Sequence, residues 1–149
     1  MKIMIEGGIR ISTPGISKKE PLITIITVVK NGEKYLEECI NSVLDQGYKN
    51  FEYIIIDGSS TDGSQRIIKK YEKKIDYFLF RKDNGIYDAF NKAMSHVKGR
   101  YFGYVNSDDV LSHNALEILS KYINENPNKD FFFGAVKKHW GILYGYKPW

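Results

Sequence analysis

Two adjacent carboxylates, Asp108 and Asp109, follow an amide and a hydroxyl, Asn106 and Ser107, directly after the apolar run 101–105. The run reads as a buried strand, and open α/β sheets hold their ligands at the carboxyl ends of strands. Paired acids there suit a hard divalent cation, which takes oxygen ligands and commonly shares them with substrate phosphates. The first chemistry indicated is therefore a cation–diphosphate site. The plain alternative is a pair of acids capping the next helix, ahead of Ser112.

Three other loops are polar in the same position relative to an apolar run. Thr27 to Asn31 ends the first run and could offer backbone groups to the edge of a base. Alone it reads as an ordinary strand-to-helix turn capped by Asn31 or Gly32. The second loop is Asp57-Gly58-Ser59-Ser60-Thr61-Asp62-Gly63. A carboxylate at a strand end can accept hydrogen bonds from a base N–H or from ribose hydroxyls, and the glycines let a ligand approach the backbone. It is not an EF-hand, because the twelfth position counted from Asp57 is Ile68 rather than Glu. It is neither a Walker A loop nor a Rossmann fingerprint. The third loop runs from Asp83-Asn84-Gly85 into Asp88, Asn91 and Lys92. Asp88 and Lys92 share a helix face, so an ion pair is one reading. The other sets the helix start beside a sugar or diphosphate, with Asp88 accepting from hydroxyls. Parallel strands would carry all these loops to one edge, which favours a single nucleotide site over independent turns.

The elements that must position them are legible as alternating strands and helices. Residues 22–29 are β-branched and apolar, the pattern of a strand buried on both faces. Tyr35, Leu36, Cys39, Ile40, Val43 and Leu44 recur at helical spacing. Strands are expected at 51–56, 75–80, 101–105 and 131–133. Helices are expected at 64–71, after Gly85, and after Ser112, which is read as the cap of the last one. Residues 1–20 read as a tail or linker with a short strand at 9–12. The order predicts an α/β fold with a mostly parallel sheet and helices on both faces.

Composition sets the outer limits. The chain has 149 residues, net charge +4 and a single cysteine, Cys39. That length suggests one domain, and one cysteine excludes both an internal disulfide and a cysteine-based zinc site. Cys39 falls on the apolar helix face and is expected to be a buried thiol. The basic balance favours anionic partners, or is simply a lysine-rich solvated face. No secretory leader or membrane-spanning run is expected, which points to a cytoplasmic protein. His96, His113 and His139 show no ligand spacing and are expected at the surface or at helix ends. No base-stacking RNA motif is present, so no nucleic-acid partner is expected.

Taken together, 23–31, Ser42-Val43-Leu44-Asp45-Gln46, 52–64, 83–92 and Asn106-Ser107-Asp108-Asp109 resemble family 2 glycosyltransferases, inverting enzymes of the GT-A (Rossmann-like) fold that use nucleotide-diphosphate sugars. The resemblance covers about residues 22–136. It implies a nucleotide-sugar-binding GT-A domain at 21–136, a basic aromatic tail at 137–149, and an end before the acceptor-binding half. By position, Thr27, Val28 and Val29 would line the base pocket and Asp57 would bind base or ribose. Asn31, Ser59 and Asn84 would belong to the same donor site. Gly85 to Asp88 would approach the diphosphate and sugar. Asn106-Ser107-Asp108 takes the place of the family's DxD-like motif. Asp108 would carry Mg²⁺ or Mn²⁺, with Asp109 in support. Asn106 replaces the first acid and brings less charge to the cation.

The implied reaction is transfer of a sugar from a UDP-linked donor to an acceptor hydroxyl with inversion. The acceptor would be a saccharide or lipid-linked molecule of bacterial surface polysaccharide synthesis, reached at the inner face of the membrane. A general base is required, and none is evident in this chain. A different class of reading is therefore kept beside it: a nucleotide-sugar-binding module, catalytically incomplete, that acts in a homo-oligomer or not at all. Exposed aromatics in the tail would favour such association. A sugar nucleotidyltransferase is more distant, because Val28-Val29-Lys30-Asn31-Gly32 is a poor match to its phosphate loop.

Overall fold

The computed structural model describes residues 4–13 and 22–134, and the backbone of 136–137 and 143–144. The elements run β1 (Ile5–Gly7), α1 (Ile9–Ser12), β2 (Ile23–Val29), α2 (Glu33–Leu44), β3 (Phe51–Asp57), α3 (Ser64–Lys70), β4 (Tyr77–Phe80), α4 (Ile86–Met94), β5 (Tyr101–Tyr104) and α5 (Ala115–Glu125). A two-residue pair, β6 (Val136–Lys137) and β7 (Leu143–Tyr144), follows. The remainder of the expected tail 137–149 lies outside the described residues.

The main sheet has the order β1-β4-β3-β2-β5, with β1 antiparallel and the rest parallel. From β2 the chain steps one way to β3 and β4, then returns to place β5 on β2's other side. The carboxyl ends of β2 and β5 therefore flank the point where strand order reverses, the usual ligand crevice of such sheets.

Strand alternation divides the interior in two. Ile23, Ile25, Val29, Tyr53 and Ile55 face a core closed by Leu36, Ile40 and Val43 of α2, Ile68 of α3, and Leu116 and Ile123 of α5. Ile26, Val28, Ile54, Ile56 and Leu79 face the other side, covered by Ala89 and Ala93 of α4 with Phe90 and Val97 at its margin. Covered on both faces, β2 and β3 are buried at every position and mostly apolar, and burying each apolar side chain contributes about 1.5–3 kcal/mol. Among the described residues no helix is long and apolar enough to cross a membrane.

Several local expectations are corrected. Residues 5–7, expected in a tail, form the antiparallel edge strand β1 against β4, and residues 9–12 form a helix rather than a strand. Arg10 of that helix forms an ion pair with buried Glu52, and its Nη1 donates to the His96 carbonyl at 2.7 Å. Residues 131–133 carry no strand. The run 101–105 is not a buried strand throughout: Phe102 is 48% and Tyr104 is 44% exposed, because β5 pairs only with β2 among the described residues. Ser112 does not cap α5. Asn114, in a left-handed conformation, precedes that helix, and buried Gln46 of the α2–β3 connection accepts the Leu116 N–H at 3.1 Å.

His96 ends the α4 region, as expected, but is half-buried and stacks on Tyr77 at 4.2 Å between ring centroids. Burial lowers its pKa below the usual 6.5, Arg10 lowers it further and Glu6 opposes. In the window below 6.5 the unfolded chain binds the proton that the folded chain refuses, so stability falls as pH drops through it. Melting curves between about pH 7.5 and 5.5 should show this slope. The variant His96→Phe, which keeps the ring on Tyr77, should flatten it. An unaltered slope would assign the effect to other groups.

Candidate donor-binding site

The sequence-predicted loops do meet at the carboxyl edge. The loop after β2 is tied to the loop after β3: the Asn31 N–H donates to Ser60 Oγ at 2.8 Å, and Asn31 Oδ1 accepts the Thr61 N–H at 2.8 Å. Asn31 adopts a left-handed φ of 55° to do so, and Ser59 one of 62°. Glu33 and Asp62 exchange further bonds between these loops, Glu33 N–H to Asp62 Oδ2 at 3.0 Å and Gly63 N–H to Glu33 Oε2 at 2.9 Å.

Asp57 ends β3 beneath this latch and is fully buried. Its Oδ1 accepts from the Ser60 N–H at 2.8 Å and from Gln65 Nε2 at 2.9 Å. Its Oδ2 is buried and has no hydrogen-bond partner. A buried carboxylate oxygen without a donor is costly, and such an atom at a sheet's carboxyl edge fits a ligand that brings an N–H or O–H.

The next loop packs against it. A Cβ on Gly58 would run into the Asp83 carboxylate, so glycine lets that side chain pack here. Asp83 is 7% exposed and its Oδ1 accepts the Gly85 N–H at 3.1 Å. Gly85 has φ 112°, which favours glycine, and nothing would meet a Cβ there, leaving the start of α4 open. Asp88 folds back on its own loop: Oδ2 accepts the Asn84 N–H at 2.8 Å and Lys92 Nζ at 2.8 Å. Those bonds, Lys92 first, hold its carboxyl below the usual range. The Asp88–Lys92 ion pair expected at helical spacing is thus formed, and one Asp88 oxygen is committed to it.

The fourth loop lies across the reversal point. Ser107 Oγ would sit 3.3 Å from a Cβ on Gly32, which brings this loop against the one after β2. Asn106 Nδ2 donates to Asp109 Oδ2 at 2.8 Å, leaving its amide oxygen free to face a ligand. Asp108 and Asp109 are both exposed. Among the described residues, no three His, Cys, Asp or Glu side chains converge as a cation cage. Lys30, Arg81 and Lys82 follow β2 and β4 and are exposed, and the Arg81 charge adds to the lowering of the Asp88 carboxyl.

The expected base-pocket wall is corrected. Thr27 is fully buried; its Oγ1 donates to the Val105 carbonyl at 2.9 Å and lies 2.9 Å from the Tyr53 hydroxyl. Val28 and Val29 are buried in opposite cores. These side chains hold the sheet together, and only the chain from Lys30 onward reaches the edge. Cys39 is the buried thiol expected; burial pushes its pKa up to about 11, so it stays protonated. Asp83 was not singled out in the sequence as a site residue. The available signal was an acid immediately ahead of an Asn-Gly turn.

Comparison with known proteins bears on this geometry. Residues 24–147 match the family model described as "Glycosyl transferase family 2". An uncharacterized glycosyltransferase of Rickettsia prowazekii is 38% identical over 110 residues, which are 74% of this chain and 34% of that protein. The putative teichuronic acid biosynthesis glycosyltransferase TuaG of Bacillus subtilis is 36% identical over 109 residues, 71% of this chain and 43% of TuaG. The crystal structure of S. aureus TarS 1–349 with UDP-GlcNAc superposes with a TM-score of 0.65 at 28% identity, covering 70% of this chain and 32% of that one. The chain therefore spans about a third of the length of the Rickettsia relative and of TarS 1–349. The doubly covered, mostly parallel sheet is the GT-A architecture expected from the motifs.

Proposed function

Because this chain belongs to glycosyl transferase family 2, we propose that it is the donor-binding part of an enzyme that moves a sugar from a UDP-linked donor to an acceptor hydroxyl, with inversion. The observation that carries this reading is the buried, unpartnered Asp57 Oδ2 at the end of β3, within the rim of loops that also carries Asp108 and Asp109. Asp57 would accept an N–H from the base. Ser59, Asn84, the open backbone at Gly85 and the free oxygen of Asp88 would meet ribose, diphosphate or sugar. TarS 1–349 holds UDP-GlcNAc in a related fold, and TuaG is named for teichuronic acid biosynthesis. The first supports a UDP-sugar donor and the second a bacterial surface polysaccharide as product.

The donor set suits a divalent cation shared with substrate. Two exposed carboxylates and the free amide oxygen of Asn106 make too few protein ligands for a cage, but enough for Mg²⁺ or Mn²⁺ completed by diphosphate oxygens and water. When bound, the cation would neutralise the leaving diphosphate as a Lewis acid. This chain's own residues then orient the donor: Asp57 by its base, Gly85 and Asp88 by its sugar side. The acceptor hydroxyl attacks the anomeric carbon from the face opposite the diphosphate, the C–O bond to the diphosphate breaks, and a general base takes the hydroxyl proton. No residue of this chain is assigned as that base. Since the chain spans less than half of the relatives it matches, a binding module that works with further polypeptide is the second reading. We place the reaction in the cytoplasm, at the inner face of the membrane.

Calorimetric titration of UDP with Mn²⁺ and then with EDTA tests the reading. Metal-dependent binding is expected. Asp108→Ala should lower the metal-dependent affinity by at least about 100-fold, the upper range for disturbing even the outer shell of a metal site. Unchanged metal-dependent binding in that variant would overturn the cation assignment. Product formation from UDP-sugars by the chain alone would overturn the binding-module reading.

A further inference from the structure

One face of α2 grips the carboxylate loop at three points. Cys39 Sγ donates to the Asn106 carbonyl at 3.2 Å. That carbonyl also accepts the Asp109 N–H at 3.0 Å, the bond that closes the turn around Asp108. Two residues beyond Asp109 the grip continues: Ser42 Oγ, itself donating to the Cys39 carbonyl at 2.7 Å, accepts the Leu111 N–H at 3.0 Å. Below it, Gln46 Nε2 donates to the Ser112 carbonyl at 3.0 Å, and Gln46 Oε1 accepts the Leu116 N–H at 3.1 Å. Cys39 and Ser42 share one side of α2, and Gln46 follows in the connection after it. Each contact is to backbone, so what it sets is the path of the loop rather than the identity of its side chains.

Most of a loop this polar would be free to fluctuate, since Asp108 and Asp109 are exposed and contribute no packing. Exposed acids hold a cation well only when the chain carrying them is already in place, because disorder in the free state is an ordering cost subtracted from binding. The helix supplies that order from its buried side. Cys39 suits the task as a small buried donor.

We propose that Cys39, Ser42 and Gln46 are positioning residues that hold the loop 106–116 in the conformation that presents Asp108 and Asp109 to a cation and diphosphate. The proposal rests on the donor-site reading above for the identity of the ligand, but its structural half can be read without any ligand. In Cys39→Ala the donor to the Asn106 carbonyl is lost. Amide hydrogen exchange at Asp109 in the ligand-free protein should quicken about fivefold, the equivalent of one net hydrogen bond. The Mn²⁺ concentration at half-saturation of UDP binding should rise by about the same factor. Affinity for uridine, which has no phosphate to share with the cation, should not change. Cys39→Ser restores a donor of similar size and should return both quantities to their starting values. Ser42→Ala should act like Cys39→Ala on Mn²⁺ half-saturation.

Unaltered exchange at Asp109 in Cys39→Ala, or a Ser variant that behaves like the Ala variant, would overturn the positioning role. Faster exchange with unaltered Mn²⁺ dependence would show that the stripe orders the loop without serving the cation, which also overturns it. A wild-type chain that binds no UDP in Mn²⁺ would refute the donor reading instead, and exchange alone would still decide whether the stripe holds the loop.

Discussion

Asp57→Asn is expected to abolish useful nucleotide binding while raising the melting temperature of the ligand-free chain. Both halves follow from one atom. Oδ1 is satisfied by the Ser60 N–H and Gln65 Nε2, and an Asn carbonyl can keep both bonds. Oδ2 has no partner and no exposure, so in the free protein it is a buried acceptor without a donor. Replacing the carboxyl group with an amide removes that bare acceptor. A gain of about 1 kcal/mol would move the melting temperature by about 2–4 °C in a chain this size. For binding, the substitution turns the acceptor proposed to meet the base into a donor. Loss of a hydrogen bond to a charged group costs about 1.5–3 kcal/mol, or roughly 10- to 150-fold in affinity. Calorimetry with UDP and a thermal melt on the same preparations give both numbers. A variant that binds as well as the parent would remove Asp57 from the site. One that is less stable would mean that the carboxylate is held by the fold and not kept for a ligand.

Glu52→Ala is expected to be the most damaging single change to stability, with no effect on the site. Glu52 is 2% exposed. Its Oε1 accepts Thr24 Oγ1 at 2.6 Å and the Lys98 N–H at 2.7 Å, and its Oε2 pairs with Arg10. Removing it leaves the Arg10 guanidinium short of its counter-charge in a half-buried place, and unpairing a buried ion pair costs about 3–5 kcal/mol. At about 2–4 °C per kcal/mol the melting temperature should fall by roughly 10 °C. The double variant Arg10→Ala, Glu52→Ala should lose less than the sum of the two single changes, because the second no longer strands a charge. Glu52 lies near the start of β3 and Asp57 at its end, about 16 Å apart at strand rise. UDP affinity of the folded variant should therefore match the parent. A loss below about 1 kcal/mol would show that the pair is solvated and worth no more than a surface one.

The cluster around Arg10 also shows where sequence reasoning ran out. Residues 5–12 carry little apolar periodicity, and their neighbours in the chain are Gly, Ser, Pro and Lys. Nothing local says that Ile5–Gly7 will pair antiparallel with a strand some seventy residues later, because that pairing is decided by an open edge on β4. Residues 131–133 erred the other way. Three consecutive Phe residues have high β propensity, yet Phe131 and Phe133 are 80% and 82% exposed and find no strand to join among the described residues. Propensity gives a strand only where a partner edge exists.

At the site the division is similar. The positions of Asp57, Gly85 and the Asn106–Asp109 turn were legible, since an abrupt change from apolar to polar residues marks the end of a strand and parallel strands gather such ends. Thr27 was placed wrongly because a strand residue points to one face or the other according to pairing and coverage, and that choice sent its hydroxyl inward to Tyr53 and Val105. Gln46 stood in the sequence only as part of the family-like segment 42–46, with no role of its own. Only the fold reveals that it spans from α2 to the backbone of α5.

By itself, then, the sequence determined the order of strands and helices from β2 to α5, the buried character of β2 and β3, and which loops would carry acids, because each of these is written in runs of a few residues. The tertiary structure alone decided which strands form the edges, which side of the sheet each strand-end side chain faces, and which carboxylate oxygen is left unpaired. Those depend on contacts between segments far apart in the chain, where the free energy is shared by partners that no local pattern names.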